Sequence, residues 1–172
     1  LRAPDAWGIN ITLPHKQAVL PFLDEVDEWA TAAGAVNTIV NRGGRLTGHN
    51  TDGPGFLRAL EVETGYNATG TRALILGAGG AARGILLALA RGGVDSLVIA
   101  NRTLERAETL RQLAQENGIK SEAVPLSGDP LTRAAASADL IVNCTSVGMS
   151  PGPDEHRSPL SAAQIPASAI VN

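Results

Sequence analysis

Sulfur and aromatic side chains are scarce in this sequence: 1 Cys, 1 Met, 2 Trp, 1 Tyr and 2 Phe in 172 residues. With Cys144 alone, no intrachain disulfide can form, and a reducing compartment, the cytoplasm, fits. With aromatics at 3%, the core has to be aliphatic. No run is long and apolar enough to span a bilayer, because Ile85 to Ala90 is too short and arginines flank it. Charge of one sign is also missing: the net charge of −3 gives no ground for nucleic acid or an anionic membrane as partner. No metal is expected. What is present, 44% hydrophobic and 18% charged residues, is ordinary for a globular chain with one good core or two small ones.

Glycine is not scarce, and its densest stretch organises the rest. Arg72-Ala73-Leu74-Ile75-Leu76 is an apolar run of strand length. It enters the turn Gly77-Ala78-Gly79-Gly80-Ala81, and a helix-forming segment leaves it. Such a turn brings backbone N–H groups close to a phosphate, and the helix N-terminus adds a favourable dipole. A plain strand–turn–helix with small packing residues is the bland alternative. The flanking elements are those that a nucleotide-binding turn requires.

Taken in order, Gly8 to Thr12 alternate as a strand does. Pro14 suits the first turn of a helix, where His15 and Lys16 would oppose the helix dipole, which favours a neutral amine. A second helix is predicted over Asp24 to Ala33, ending at Gly34, then a strand over Ala35 to Val40. Arg42-Gly43-Gly44-Arg45 reads as a hairpin turn and Leu46-Thr47-Gly48 as its return strand. Asn50-Thr51-Asp52-Gly53 reads as a cap, followed by a helix to Glu63 with an apolar face. The polar stretch 64–71 marks a domain boundary. Beyond it, strands at 72–76, 96–100, 119–124, 139–143 and 170–171 alternate with helices at 81–91, 104–117 and near 131–136. That alternation implies a parallel sheet covered on both faces, with right-handed crossovers.

Three places carry candidate chemistry. The second strand of that sheet ends in Asn101-Arg102-Thr103, with Arg106 one turn on, where NAD-binding domains put an acid for the ribose. Two guanidinium groups there can clamp a 2′-phosphate, which favours NADP over NAD. Asn143-Cys144-Thr145-Ser146-Val147-Gly148-Met149 leaves the carboxyl end of a later strand, where ligands of open α/β sheets gather. Its small polar residues suit a nicotinamide pocket, and a simple capped loop suits them too. Cys144 reads as a small buried residue rather than a nucleophile, having no adjoining basic partner. Third, a lysine facing an aspartate can share a proton across a substrate hydroxyl. Lys16 and Asp52 are the candidates, but spacing alone does not pair them, and two surface charges are the plainer reading.

Five motifs, in order, change that weighing. Gly8-Ile9-Asn10-Ile11-Thr12-Leu13-Pro14-His15-Lys16, Gly34-Ala35-Val36-Asn37-Thr38, Asn50-Thr51-Asp52-Gly53, Gly77-Ala78-Gly79-Gly80-Ala81 and Asn101-Arg102-Thr103 resemble the shikimate dehydrogenases. The resemblance implies reversible NADPH-dependent reduction of 3-dehydroshikimate to shikimate, in aromatic amino-acid biosynthesis. It implies an α/β fold: a Rossmann-like, parallel-sheet NADP-binding domain preceded by part of a smaller α/β substrate-binding domain. On this reading residues 1–51 are the partial substrate domain, 52–69 a connecting helix and linker, and 70–172 the cofactor domain. Carried over by motif, Lys16 and Asp52 are the catalytic pair, also touching substrate, and Thr12 and Asn37 hold substrate hydroxyls. Gly77, Ala78, Gly79, Gly80 and Ala81 hold the pyrophosphate, and Asn101, Arg102, Thr103 and Arg106 the 2′-phosphate end. Thr145, Ser146 and Gly148 lie near the nicotinamide, and Glu28 corresponds to an acidic position sometimes assigned to the cofactor.

The family's early Ser-x-Ser, which grips the substrate carboxylate, is expected before Leu1, and its late tyrosine region and glutamine-bearing helix after Asn172. The expectation is therefore a fragment that binds NADP weakly and turns over poorly. A quinate/shikimate dehydrogenase shares all five motifs. An NADP-binding module without catalysis needs no Lys16, and a structural module needs no cofactor at all. The partner expected is a small molecule; a homodimer is compatible with the sequence, which assigns no oligomeric state.

Overall fold

Short alternations of apolar and polar residues, rather than long apolar runs, build the first sheet. In a computed structural model describing residues 1–12 and 14–172, the chain divides into two compact units, Leu1–Thr64 and Gly65–Asn172. Leu13, inside the first of the five motifs, lies outside the described residues.

The first unit contains β1 (Gly8–Asn10), β2 (Glu25–Val26), α1 (Glu28–Ala33), β3 (Thr38–Arg42), β4 (Arg45–His49) and α2 (Asp52–Thr64). The sheet order is β1-β3-β4-β2; β1 and β4 flank β3 antiparallel, and β2 joins β4 in parallel. Gly43 and Gly44 close the β3–β4 hairpin with φ of 61° and 90°, the left-handed pair that a two-residue turn of this twist needs. Ile39 and Leu46 alternate onto the buried face and pack with Ala30 and Val36, an aliphatic core in which no aromatic is needed.

Three expectations for this unit are corrected. No α-helix starts at Pro14: residues 14–19 form successive turns that lead into a 3-10 turn at Leu20–Phe22. Pro14 and Pro21 bracket a stretch too short for a stable helix, and Pro21 has no N–H to give. The dipole argument for Lys16 therefore has no helix to rest on. The second helix begins at Glu28, not Asp24, because Glu25–Val26 pair with β4 and Asp27 turns into a cap, accepting from Ala30 N–H at 2.6 Å. The following strand begins at Thr38, not Ala35, since residues 35–37 are given over to contacts described below.

In the second unit β5 (Arg72–Leu76), α3 (Gly80–Arg91), β6 (Ser96–Asn101), α4 (Leu104–Glu116), β7 (Lys120–Pro125), α5 (Gly128–Ser137), β8 (Leu140–Asn143) and β9 (Ile170–Val171) form an α/β unit. Its five strands are all parallel, in the order β7-β6-β5-β8-β9. Ala73 to Leu76 are all buried, as a strand covered on both faces must be. Leu74 and Leu76 pack with Leu131, Ala134 and Ala135 of α5. Ala73 and Ile75 alternate to the opposite face. The chain steps outward from β5 to β7 and then returns to β8 beside β5. Right-handed crossovers thus put α3 and α4 on one face and α5 on the other. The reversal leaves a switch point at the carboxyl ends of β5 and β8, where open α/β sheets bind ligands.

Candidate active site and nucleotide loop

In the first unit, three consecutive residues before β3 each fasten a different piece of chain. Ala35 carbonyl accepts from Asn50 Nδ2 at 3.0 Å. Val36 N–H donates to Lys16 carbonyl at 2.8 Å, so a fully buried valine anchors the lysine's backbone. Asn37 carbonyl accepts from Ile11 N–H at 2.7 Å, and its N–H donates to His49 carbonyl at 3.0 Å. The turn between Ile11 and Lys16 is closed by His15 N–H donating to Thr12 carbonyl at 2.9 Å.

These straps bring Lys16 and Asp52 together. Lys16 Nζ donates to Asp52 Oδ2 at 2.7 Å, and Asn37 Nδ2 donates to Asp52 Oδ1 at 2.7 Å. Both carboxylate oxygens are thus held. Asp52 is also the first residue of the 13-residue helix α2, where the dipole favours a negative charge. The pair faces solvent in part, with 27% of the Lys16 side chain and 47% of the Asp52 side chain exposed. An ammonium has three N–H donors, so one bond to Asp52 leaves others for a ligand oxygen. A lysine held against a fixed carboxylate can, as the ammonium, give a proton to a bound carbonyl and, as the amine, take one from a bound hydroxyl.

Asn37 does more here than its motif role suggested. Its Nδ2 also donates to Thr51 Oγ1 at 3.0 Å, and its Oδ1 accepts from Thr51 N–H at 3.0 Å. Both amide hydrogens are in use within the protein. Thr12 is exposed, beside the turn it closes, and Glu28 opens α1 behind the Asp27 cap. Asn50 and Thr51, read from sequence only as a cap, turn out to link Asp52 to the rest of the site. The signal was in the motif itself: Asn two residues before a helix start is the pattern of an Asx turn.

In the second unit, the glycine turn sits at the switch point. Gly77 has φ of 104°, and its N–H donates to Ala100 carbonyl at 2.7 Å. A Cβ there would stand 2.9 Å from Cys144 carbonyl oxygen, so only glycine lets β5 pass that close to the end of β8. Gly79 is the N-cap of α3, and no side chain caps that helix end. A Cβ on Gly79 or Gly80 would meet nothing within 4 Å. Open space above uncapped N–H groups at the start of a 12-residue helix fits a pyrophosphate. Ala78 and Ala81, small as well, flank those glycines.

Asn101 ends β6 with its Nδ2 donating to Thr103 carbonyl at 2.9 Å, and Thr103 is the N-cap of α4. Arg102, Thr103 and Arg106 are exposed. Glu105 is the one acid in that turn, against two guanidinium groups. Beyond β8, Asn143 organises the loop. Its Oδ1 accepts from Thr145 Oγ1 at 2.7 Å and from Thr145 N–H at 3.0 Å, while its Nδ2 donates to Val147 carbonyl at 2.9 Å. Ser146 carbonyl accepts from Met149 N–H at 3.2 Å, and Gly148 turns with φ of 86°.

Cys144 is half-buried rather than buried, and desolvation pushes its thiol up to about 12. It stays protonated at neutral pH and is a poor nucleophile. Because the folded value is above the unfolded one, the linked stability is complete below pH 9 and lost as pH rises toward 12. Native chain should therefore resist a thiol-alkylating reagent at pH 8 and react fully once unfolded in guanidinium. Rapid native labelling would show that the burial is wrong. Among the described residues, no group of three or more His, Cys, Asp or Glu is placed to hold a metal, and no helix is long and apolar enough to cross a membrane.

Comparison with known proteins agrees with both halves. The shikimate dehydrogenase substrate binding domain matches residues 1–39, and the shikimate / quinate 5-dehydrogenase model matches residues 60–151. A shikimate dehydrogenase (NADP(+)) of Methanopyrus kandleri is 49% identical over 167 residues, covering 96% of this chain and 57% of that relative. Among solved structures, a shikimate 5-dehydrogenase from Listeria monocytogenes in complex with shikimate and NAD gives a TM-score of 0.88 at 35% identity, covering 99% of this chain and 60% of that one. A Thermus thermophilus shikimate 5-dehydrogenase in complex with NADP(H) and shikimate gives 0.80 at 42% identity, covering 98% and 58%. The chain thus spans less than two thirds of the length of these relatives. With the second family model alone covering more than half of its residues, the chain belongs to the shikimate/quinate 5-dehydrogenase family.

Proposed function

We propose that this chain carries the acid–base and nucleotide-binding parts of an NADP-dependent shikimate dehydrogenase, which reversibly reduces 3-dehydroshikimate to shikimate. The observation that carries the reading is the Lys16–Asp52 contact at 2.7 Å, with the second carboxylate oxygen held by Asn37. In the reductive direction Lys16 gives a proton to the substrate's C3 oxygen as that carbon takes up hydride; in the oxidative direction it takes the proton back. Asp52 holds the ammonium and accepts from the substrate hydroxyl. Thr12 orients a neighbouring hydroxyl, and Asn37 does so by exchanging one of its present bonds. The chemistry a bound NADPH supplies is the hydride.

The residues of the second unit fit that cofactor. Gly77 to Ala81 would hold the pyrophosphate, and Arg102 and Arg106, with Asn101 and Thr103, the 2′-phosphate. Thr145, Ser146 and Gly148 would border the nicotinamide; Glu28, which belongs to the first unit, enters the reading only through the motif resemblance. The likeness to relatives crystallised with shikimate and NADP(H) supports the substrate and the dinucleotide. A cytoplasmic place of work belongs to the same reading, and light scattering tells whether the chain pairs as a homodimer.

A second reading has its own support: the family model spans quinate enzymes, and a Corynebacterium glutamicum quinate dehydrogenase in complex with NAD is 38% identical with a TM-score of 0.84. One set of assays separates the two. The chain is mixed with NADPH or NADH and 3-dehydroshikimate or 3-dehydroquinate, and nicotinamide oxidation is followed. Preference for NADPH and 3-dehydroshikimate is expected. Arg102→Ala should weaken NADPH binding about tenfold, the loss of one charge-assisted contact, and leave NADH binding as it was. Equal losses for both dinucleotides would remove the 2′-phosphate from Arg102.

A further inference from the structure

Among the described residues of the first unit Asn50 is one of two buried polar side chains, 5% exposed, yet it touches neither Lys16 nor the Asp52 carboxylate. Its carboxamide bridges two strands of the site's wiring. Nδ2 donates to Ala35 carbonyl at 3.0 Å, and Oδ1 accepts from the Asp52 N–H at 3.1 Å. The first bond reaches back to the segment 35–37, which fastens Lys16 through Val36 and the Asp52 carboxylate through Asn37. The second sets where α2 begins, and so where Asp52 stands. One buried side chain thus ties the backbone that carries the acid to the backbone that positions the amine.

We infer that Asn50 is a positioning residue for the proton-transfer pair: it sets the register between the start of α2 and the Ala35–Asn37 segment, so that the Lys16 ammonium and the Asp52 carboxylate meet. Neither of its bonds reaches a group that would contact substrate, so its effect travels through Asp52. Asn41, the other buried asparagine, supplies the comparison. Its Nδ2 donates to the carbonyls of Leu1, Ala3 and Ala6, and its Oδ1 accepts from Gly44 N–H, away from Lys16 and Asp52.

The inference rests on the proposed acid–base role of Lys16 and Asp52 for its kinetic arm, but not for its chemical one. The chain has two lysines, so an amine-acylating reagent followed by mass spectrometry reads Lys16 against Lys120 in one sample. Lys120 is the internal standard, with 80% of its side chain exposed. In the wild-type chain Lys16, held on Asp52, reacts more slowly than Lys120. Asn50→Ala should raise the Lys16-to-Lys120 ratio about fivefold, as a pinned ammonium becomes mobile. Turnover at saturating substrate should fall about tenfold or more, with NADPH affinity unchanged. Asn50→Ser keeps an oxygen for the Asp52 N–H but cannot reach Ala35, and should fall between. Asn41→Ala should lower thermal stability while leaving the labelling ratio and turnover per folded chain at wild-type values.

An unchanged ratio in folded Asn50→Ala, or the same ratio change in Asn41→Ala, overturns the inference. If Asn50→Ala does not fold, Asn50→Ser carries the decision by the same ratio. A ratio that rises while the wild-type chain oxidises no hydroxy acid would uphold the positioning role and overturn the proposed activity instead.

Discussion

Replacing Lys16 with alanine should lower turnover of 3-dehydroshikimate about a thousandfold, within the range for removing a positioned acid–base group. Three features make the expectation specific. The ammonium both holds the Asp52 carboxylate and keeps N–H groups for a ligand, while the Asn37 amide hydrogens are both in use. The contact is partly exposed, so it adds less than about 1 kcal/mol to stability. The melting temperature should therefore hardly move, and lost activity will not be lost fold. The glycine turn belongs to the other compact unit, so NADPH affinity should stay at the wild-type value. Asp52→Asn should cost less, about a hundredfold, because Lys16 itself remains, but the single amide oxygen can accept from only one of Lys16 and Asn37 and no charge orients the ammonium. Rates are read with enzyme in large excess over cofactor, so that slow chemistry registers. A Lys16→Ala chain that keeps most of its turnover ends the acid–base reading. One that loses NADPH binding in step would mean the substitution acts on folding or on the cofactor.

How much of this was legible beforehand depends on the length of the interaction that fixes each feature. The second unit was readable because its strands are continuous apolar runs and its helices long enough to show a face. All five strands and three helices stand within a few residues of where the pattern puts them. The Gly43–Gly44 turn and the Asn50–Asp52 cap were readable because their geometry is written into two or three adjacent residues. The failures lie at residues 14 to 37, where local propensity competes with remote partners. Glu25 and Val26 look helical beside Asp27, but a β4 edge 22 residues away takes them as a strand. Ala35 to Asn37 alternate like a strand, yet their backbone groups go to Asn50, Lys16, Ile11 and His49. The Lys16–Asp52 pair itself is 36 residues apart in the chain, and no period or spacing connects them. Only the motif resemblance did.

The nucleotide reading stands or falls on two glycines two residues apart in one loop, Gly77 and Gly79, whose alanine variants should fail differently. At Gly77 the backbone is left-handed, and a Cβ would lie 2.9 Å from the Cys144 carbonyl oxygen and 3.0 Å from its carbon. These are backbone atoms, anchored because Cys144 N–H donates to Leu76 carbonyl at 2.8 Å, and no rotamer change relieves them. The strained φ costs about 1–3 kcal/mol and the overpacking a similar amount, so Gly77→Ala should lose roughly 2–5 kcal/mol of stability. It should also splay β5 from β8 and weaken NADPH binding by about a hundredfold or more. At Gly79 the backbone has φ of −98°, which alanine adopts freely, and the added Cβ would point into open space. Gly79→Ala should therefore melt like wild type. If a pyrophosphate occupies that space, the methyl group competes with it, and affinity should drop about tenfold through contacts no longer made. Thermal melts beside fluorescence titrations with NADPH read both variants. A Gly79→Ala chain of normal stability and normal NADPH affinity would mean that the turn is shaped for packing alone, and the uncapped start of α3 would then have no anion to hold.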